Sequence, residues 1–156
     1  MSASDPHPET RTAHAAAPPD PGDGAVVPPL QPATTFVQGA QDGRSYARDQ
    51  SPAVEPAEKL LAELEGGTDA LLFASGMAAA TAMVQALRPG DHIVAQHVMY
   101  WGLRRWLSGF CAEWGIGLDF VDAGESGAIA AAIQPGRTRL VWVETPANPT
   151  WEIVDI

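Results

Sequence analysis

From residue 51 onward, apolar and polar positions fall into periods that switch repeatedly. Ala57, Leu60, Leu61 and Leu64 recur at i, i+3, i+4 and i+7, an apolar helix stripe opposed by Glu58, Lys59 and Glu63. Pro56 suits the first turn of that helix, and Gly66-Gly67 suits its end. Short apolar runs then alternate with helical stretches. ALLFA (70–74) reads as a strand, followed by a helix to Leu87, the turn RPGD and the strand HIVA (92–95). A helix through 101–114 sets Leu103, Trp106, Leu107, Phe110 and Trp114 on one face. LDFVD (118–122), AIAAAI (128–133), the turn PGR and LVWVE (140–144) continue the alternation.

Short apolar strands separated by helices predict an α/β fold with a largely parallel sheet covered on both faces. Such a sheet holds its ligand at the carboxyl ends of the strands. Here those ends are Ser75-Gly76-Met77, Gln96 to Tyr100, Asp122-Ala123 and Glu144 to Asn148. The run from Ala70 to Leu87 carries no charge and approaches bilayer-spanning length. Its alanines, with Ser75-Gly76, Thr81 and Gln85 inside, read instead as strand, turn and buried helix, and no membrane span is expected.

Composition narrows the foldable part. Of the 156 residues 46% are hydrophobic, enough for one core, yet eight of fourteen prolines lie in the first 32 positions. Residues 1–50 therefore read as an extended Pro-rich arm, with the first ~25 expected to be disordered, and 51–156 as the folded part. A net charge of −10 disfavours nucleic acid or an anionic membrane as the main partner. Cys111, the lone cysteine, reads as a small buried hydrophobe, consistent with a reducing cytoplasm. The N-terminus lacks the charged and apolar regions of a signal peptide.

Few residues offer chemistry by themselves. At Ser75-Gly76-Met77 unpaired N–H groups and the helix dipole favour an anion, although the tripeptide alone is first read as a tight strand-to-helix connection. No G-x-G-x-x-G or Walker pattern accompanies it. Tyr46 and Arg48 lie in the polar stretch SYARDQSP, where an arginine fork and a phenol suit a phosphate, but Y-x-R is common and by itself is first read as a solvated loop. Tyr100 is either a ring for a planar ligand or a core aromatic beside Trp101. His92 and His97 have no ligand grouping around them and read as structural, with no metal site. In Glu144-Thr145-Pro146-Ala147-Asn148-Pro149 two prolines stiffen a strand-end loop that presents Asn148, with or without a ligand to meet it.

In order and spacing these pieces resemble the trans-sulfuration family of pyridoxal-phosphate enzymes: cystathionine γ-synthases, cystathionine β-lyases, methionine γ-lyases and homoserine sulfhydrylases. The matching text is VVPPLQPATTF, Y-A-R before Ser51-Pro52, LAELEGGTDALLFASGMAA, LRPGDHIV, the Tyr100 segment and VETPANPTWEIVDI, nearly everything from Thr10 on. The resemblance implies part of a fold type I, aspartate-aminotransferase-like large domain, with 51–156 as its N-terminal half and pyridoxal 5′-phosphate as cofactor. Ser75, Gly76 and Met77 match the cofactor-phosphate segment, with backbone donors from Gly76 and Met77. Tyr46 and Arg48 resemble phosphate ligands lent by a neighbouring subunit, implying a homo-oligomer, a tetramer or dimer of dimers. Tyr100 resembles the tyrosine that stacks on the pyridine ring and assists proton transfer. Glu144 and Asn148 match the strand-end pair near the ring, with Asn148 aimed at its hydroxyl.

Two departures stand out. Trp101-Gly102-Leu103 replaces Gly-Gly-Thr or Gly-Cys-Thr, which argues against methionine γ-lyase and leaves the substrate class open, and Ser51 replaces an Asn. The single lysine, Lys59, does not match the family's Schiff-base position. In the family that lysine, the ring-nitrogen aspartate and the substrate-carboxylate arginine follow the VDI segment, so the chain reads as an N-terminal portion of the enzyme. The family function is β/γ-elimination or replacement on sulfur amino acids or activated homoserine, with this chain alone expected to be inactive. The alternatives are a non-catalytic half-subunit that pairs with a C-terminal chain or an intact relative, and a phosphate-binding α/β module. Part of a larger sheet would also leave an apolar edge needing a partner.

Overall fold

In the computed structural model, residues 7–13, 24–27, 29–39 and 43–156 are described, and the chain divides into two compact units, residues 1–72 and 73–156. The disorder expected at the N-terminus falls mostly on residues outside the described ones. Within the segment expected to be extended, Pro8–Ala13 forms a short helix, α1. Pro8 fixes a helical φ at its start, and the Thr12 hydroxyl donates to Pro8 O at 2.9 Å.

The second helix of this unit, α2 (Glu55–Glu65), has Pro56 in its first turn and Gly66 as a left-handed C-cap at φ 67°. The Gly67 N–H returns to Ala62 O at 2.8 Å. The expected apolar stripe is not buried: Ala62 is the buried residue, whereas Ala57, Leu61 and Leu64 are exposed. The physical reason lies in the element packed on it, since α1 is PETRTA and offers no apolar face. Arg11–Glu63 at 3.8 Å joins the two helices, and Arg44 Nε donates to Glu55 Oε1 at 3.1 Å. An isolated antiparallel bridge, Thr35 to Tyr46, holds the segment before α2.

Residues 70–74 are not the strand that their apolar run predicts. A strand exists only where a neighbour supplies ladder partners, and here the Leu72 N–H donates to the Glu58 carboxylate of α2 at 2.9 Å. Leu71, Leu72 and Phe73 remain 75%, 45% and 44% exposed.

The second unit is a three-stranded parallel sheet, order β2-β1-β3, from β1 (His92–Gln96), β2 (Gly117–Val121) and β3 (Thr138–Trp142). Helices α3 (Gly76–Gln85), α4 (Trp101–Trp114) and the short α5 (Ala128–Ala132) connect and cover it. Central β1 is buried at all five positions: Ile93, Val94 and Ala95 form its apolar run, and His92 and Gln96 at its ends are buried with hydrogen-bond partners. Register places Ile93 beside Leu118 and Leu140, and Ala95 beside Phe120 and Trp142, on one face. That face meets Ala80 and Val84 of α3 and Leu103, Leu107 and Cys111 of α4. Coverage of both faces holds for β1 but not for β3, where Arg139 and Val141 are exposed.

The α4 stripe also differs from the expected one. Leu103, Leu107 and Cys111 form the buried row, while Trp106, Phe110 and Trp114 stack along its flank at 4.6 and 5.1 Å, with Trp114 exposed. Cys111 is buried as composition suggested, and burial pushes its thiol up. His92, also buried, is structural: Nδ1 sits 2.8 Å from Thr138 Oγ1 and Nε2 3.2 Å from Asp119 Oδ2, at the end of β1 opposite Gln96. Among the described residues no helix is long and apolar enough to cross a membrane.

Candidate functional site

At the carboxyl ends of β1 and β3, a cleft of about 440 Å³ is lined by Ser75, Gly76, Met77, Ala80, Tyr100, Leu103, Trp142 and Glu144. Its polar floor is the start of α3. Ser75 is the N-cap, with extended backbone (φ −161°, ψ 158°), and its hydroxyl accepts from the Ala78 N–H at 3.1 Å. Its carbonyl accepts from Ala79 N–H at 3.1 Å. Among the described residues the amides of Gly76 and Met77 have no acceptor, and the space where a Gly76 Cβ would stand is open. Two unpaired donors at the positive end of a ten-residue helix form a cradle for an anion.

Opposite lies Tyr100, 47% exposed, the N-cap residue of α4. Its backbone N–H donates to Glu144 Oε2 at 2.8 Å, and Trp142 Nε1 donates to Glu144 Oε1 at 3.1 Å, so both carboxylate oxygens are engaged. Glu144 is in turn gripped through its backbone. Gln96, 3% exposed, accepts from the Glu144 N–H at 2.7 Å and donates to its carbonyl at 2.9 Å, and the same amide nitrogen donates to Val98 O. The Tyr100 ring lies back against Gly102, where an added Cβ would stand 2.7 Å from Cε1.

Asn148 is exposed and outside the residues lining the cleft. The loop carrying it is closed by its own backbone: Ala147, buried, donates to Glu152 O at 2.9 Å and accepts from the Trp151 N–H at 2.7 Å. Tyr46 and Arg48 belong to the first unit, whereas every residue lining the cleft belongs to the second. The Arg48 guanidinium lies 4.9 Å from the Tyr46 ring centroid, with its side chain largely exposed. Sequence reasoning missed Trp142 and the roles of Gln96 and Gly102. The one available signal was Gln96, a polar residue closing an otherwise apolar strand.

The donor set fits a planar phosphorylated ligand: two free amides for an oxyanion, an aromatic face, and apolar walls from Met77, Ala80, Leu103 and Trp142. No lysine lines the cleft, and Lys59 is exposed on α2 of the first unit.

Comparison with known proteins agrees. The family profile described as Cys/Met metabolism PLP-dependent enzyme matches residues 9–156. Human cystathionine γ-lyase is 41% identical over 135 residues, covering 85% of this chain and 33% of the relative. Cystathionine γ-synthase of Mycobacterium tuberculosis is 42% identical over 154 residues, covering 96% and 39%, and cystathionine β-lyase of Coxiella burnetii is 37% identical, covering 96% and 40%. The crystal structure of metB from Corynebacterium glutamicum superposes with a TM-score of 0.88 at 35% identity, over 96% of this chain and 40% of that one. The chain thus spans 33–40% of the length of these proteins and carries a partial α/β fold of the same kind. With a matching profile over almost its whole length and a cleft of the required chemistry, it belongs to the Cys/Met metabolism family of enzymes, whose cofactor is pyridoxal 5′-phosphate.

Proposed function

We propose that this chain supplies the phosphate cradle and one ring face of the cofactor site in an enzyme of the cystathionine γ-synthase and β-lyase type. The reaction class is β- or γ-elimination or replacement on a sulfur amino acid or activated homoserine. One observation carries the reading: the unpaired amides of Gly76 and Met77 open into the same cleft as the half-exposed Tyr100 ring. When bound, pyridoxal phosphate supplies an electron sink for charge developing at the substrate's α-carbon.

The chain's own residues do the rest of what is assigned to them. Gly76 and Met77 donate to the phosphate, aided by the α3 dipole. Tyr100 is assigned to the pyridine face, where its phenol would be available for proton transfer. Asn148, whose amide has no intramolecular partner among the described residues, is assigned to the ring hydroxyl. Tyr46 and Arg48, exposed on the first unit, serve the phosphate of a neighbouring subunit in a homo-oligomer. Met77, Leu103 and Trp142 keep water from the ring.

Titration of the 156-residue chain with pyridoxal phosphate and with inorganic phosphate tests this. The expected result is tighter binding of pyridoxal phosphate, with Tyr100→Ala removing the difference by lowering its affinity about 2- to 13-fold. Equal affinities for the two ligands in the wild-type chain would refute it.

A second reading is favoured by the position of Lys59, exposed on the first unit and outside the cleft. In it the chain is a non-catalytic half-site that pairs with another polypeptide bearing the lysine. Borohydride treatment with equimolar cofactor should then give no stoichiometric adduct at Lys59, and a stoichiometric adduct there would exclude it.

A further inference from the structure

We propose that Glu144 is a positioning residue for Tyr100, acting through the backbone N–H of that tyrosine and not by contact with the cofactor. The proposal rests on the reading in which Tyr100 takes the pyridine face. Its basis is the occupancy of the carboxylate: Oε2 accepts from Tyr100 N–H at 2.8 Å and Oε1 from Trp142 Nε1–H at 3.1 Å. With each oxygen already accepting from a protein donor, the carboxylate is held in one orientation by the Tyr100 backbone and the Trp142 indole.

The same bonds do something for the tyrosine. Tyr100 is the N-cap of α4 but makes no side-chain cap bond, so its phenol is free for the cleft. Glu144, two residues past the end of β3, accepts from the N–H of the N-cap residue itself, and its negative charge lies at the positive end of α4. That leaves the Tyr100 backbone fixed and the ring to be placed by the space behind it. Gly102 provides that space, since a Cβ there would come within 2.7 Å of Cε1, 3.0 Å of Cζ and 3.1 Å of the hydroxyl oxygen.

Gln96 completes the chain of support. Its buried amide holds both the N–H and the carbonyl of Glu144, fixing the carboxylate's point of origin relative to the end of β1. The ring orientation is therefore set from three places, the end of β1, the segment that follows β3 and the first turn of α4, before any ligand arrives. Preorganisation of this kind lowers the ordering cost of binding.

The chain contains two tyrosines, so ring-labelled tyrosine gives two assignable signals in the NMR spectrum of the 156-residue protein. The unliganded wild type should show contact between the Tyr100 ring and Gly102 Hα. Glu144→Met, similar in volume but without acceptors, should lose it, and Glu144→Gln, which restores one acceptor, should recover it in part. Pyridoxal phosphate should shift the Tyr100 ring signal in the wild type and not in Glu144→Met. Affinity for inorganic phosphate should stay within about twofold, because Gly76 and Met77 are untouched, while that for pyridoxal phosphate falls about fivefold. Persistence of the Tyr100–Gly102 contact in a folded Glu144→Met protein overturns the proposal.

A variant-free measurement stands beside it. The Tyr100 amide should exchange with solvent more slowly than the unpaired amides of Gly76 and Met77, and equal rates would also overturn the proposal. If pyridoxal phosphate leaves wild-type Tyr100 unshifted, the cofactor reading of the cleft fails. The unliganded contact and the exchange rates still decide the positioning role.

Discussion

Replacing Gly102 by alanine separates two quantities that a cleft substitution usually changes together. Gly102 is the second residue of α4, and helical glycine costs about 0.5–1 kcal/mol relative to alanine, an upper bound so near the helix start. The new Cβ would meet the Tyr100 ring at 2.7 Å, whereas ordinary carbon contacts lie at about 3.5–4 Å. The atom it meets is the far edge of a half-exposed side chain, not backbone, so the ring can swing outward by about 1 Å without disturbing the core.

Stability should therefore hold or rise, by as much as about 4–8 °C in the melting temperature of a unit this size if the full propensity gain is realised. Cofactor binding should move the other way. Misplacing the ring forfeits an aromatic stacking interaction of about 0.5–1.5 kcal/mol, which is about a 2- to 13-fold loss in pyridoxal phosphate affinity. Inorganic phosphate, which needs only Gly76 and Met77, should bind as before. Thermal unfolding by circular dichroism and parallel titrations with the two ligands measure each quantity. A melting temperature lowered by several degrees would show that Gly102 serves the fold and not the ring. Unchanged pyridoxal phosphate affinity would refute the placement of Tyr100 over the pyridine.

Two further outcomes follow from the core. Leu107, 1% exposed between α4 and the sheet, should cost about 2–5 kcal/mol when cut to alanine, read from denaturant unfolding of the second unit. Cys111 has its thiol raised by burial, so the folded state favours the protonated form. That contribution to stability is present below the thiol's unfolded value and is lost as pH rises through the raised native value. At mildly alkaline pH, iodoacetamide should leave folded Cys111 unmodified and label it after denaturation, as read by mass spectrometry, and rapid labelling of the folded chain would contradict its burial.

Helices α2 to α5 and the three strands were legible because each carries its own pattern, whereas α1 lies in a segment that reads as an extended arm. Ile93, Val94 and Ala95 are apolar without interruption because β1 is central, and Pro56 and Gly66 bracket α2 by backbone geometry alone. ALLFA has the same apolar text and is not a strand, because strand formation depends on a partner that the text does not name. The Leu72 amide finds Glu58 instead. The α2 stripe failed in the same way: a 3.6-residue period shows which face is apolar, and only the neighbouring element decides whether it is covered.

The site divides along the same line. Gly76, Met77 and Tyr100, which line one cleft, could be singled out as candidates because helix-start amides and aromatic rings carry their chemistry locally. Glu144 was placed beside the ring by its motif, yet its carboxylate is occupied by the amide of a residue 44 positions earlier, and its backbone by a side chain 48 positions earlier. Those pairings arise because β1 and β3 lie side by side in parallel, which brings Gln96 and Glu144 to the same rim. Gly102 completes the contrast. Its sequence context marks a departure from the family at Trp101 and Leu103, while the glycine between them is the residue whose missing Cβ the tyrosine ring needs. What chemistry a residue offers is written near it, whereas what holds that residue in place is written across the sheet.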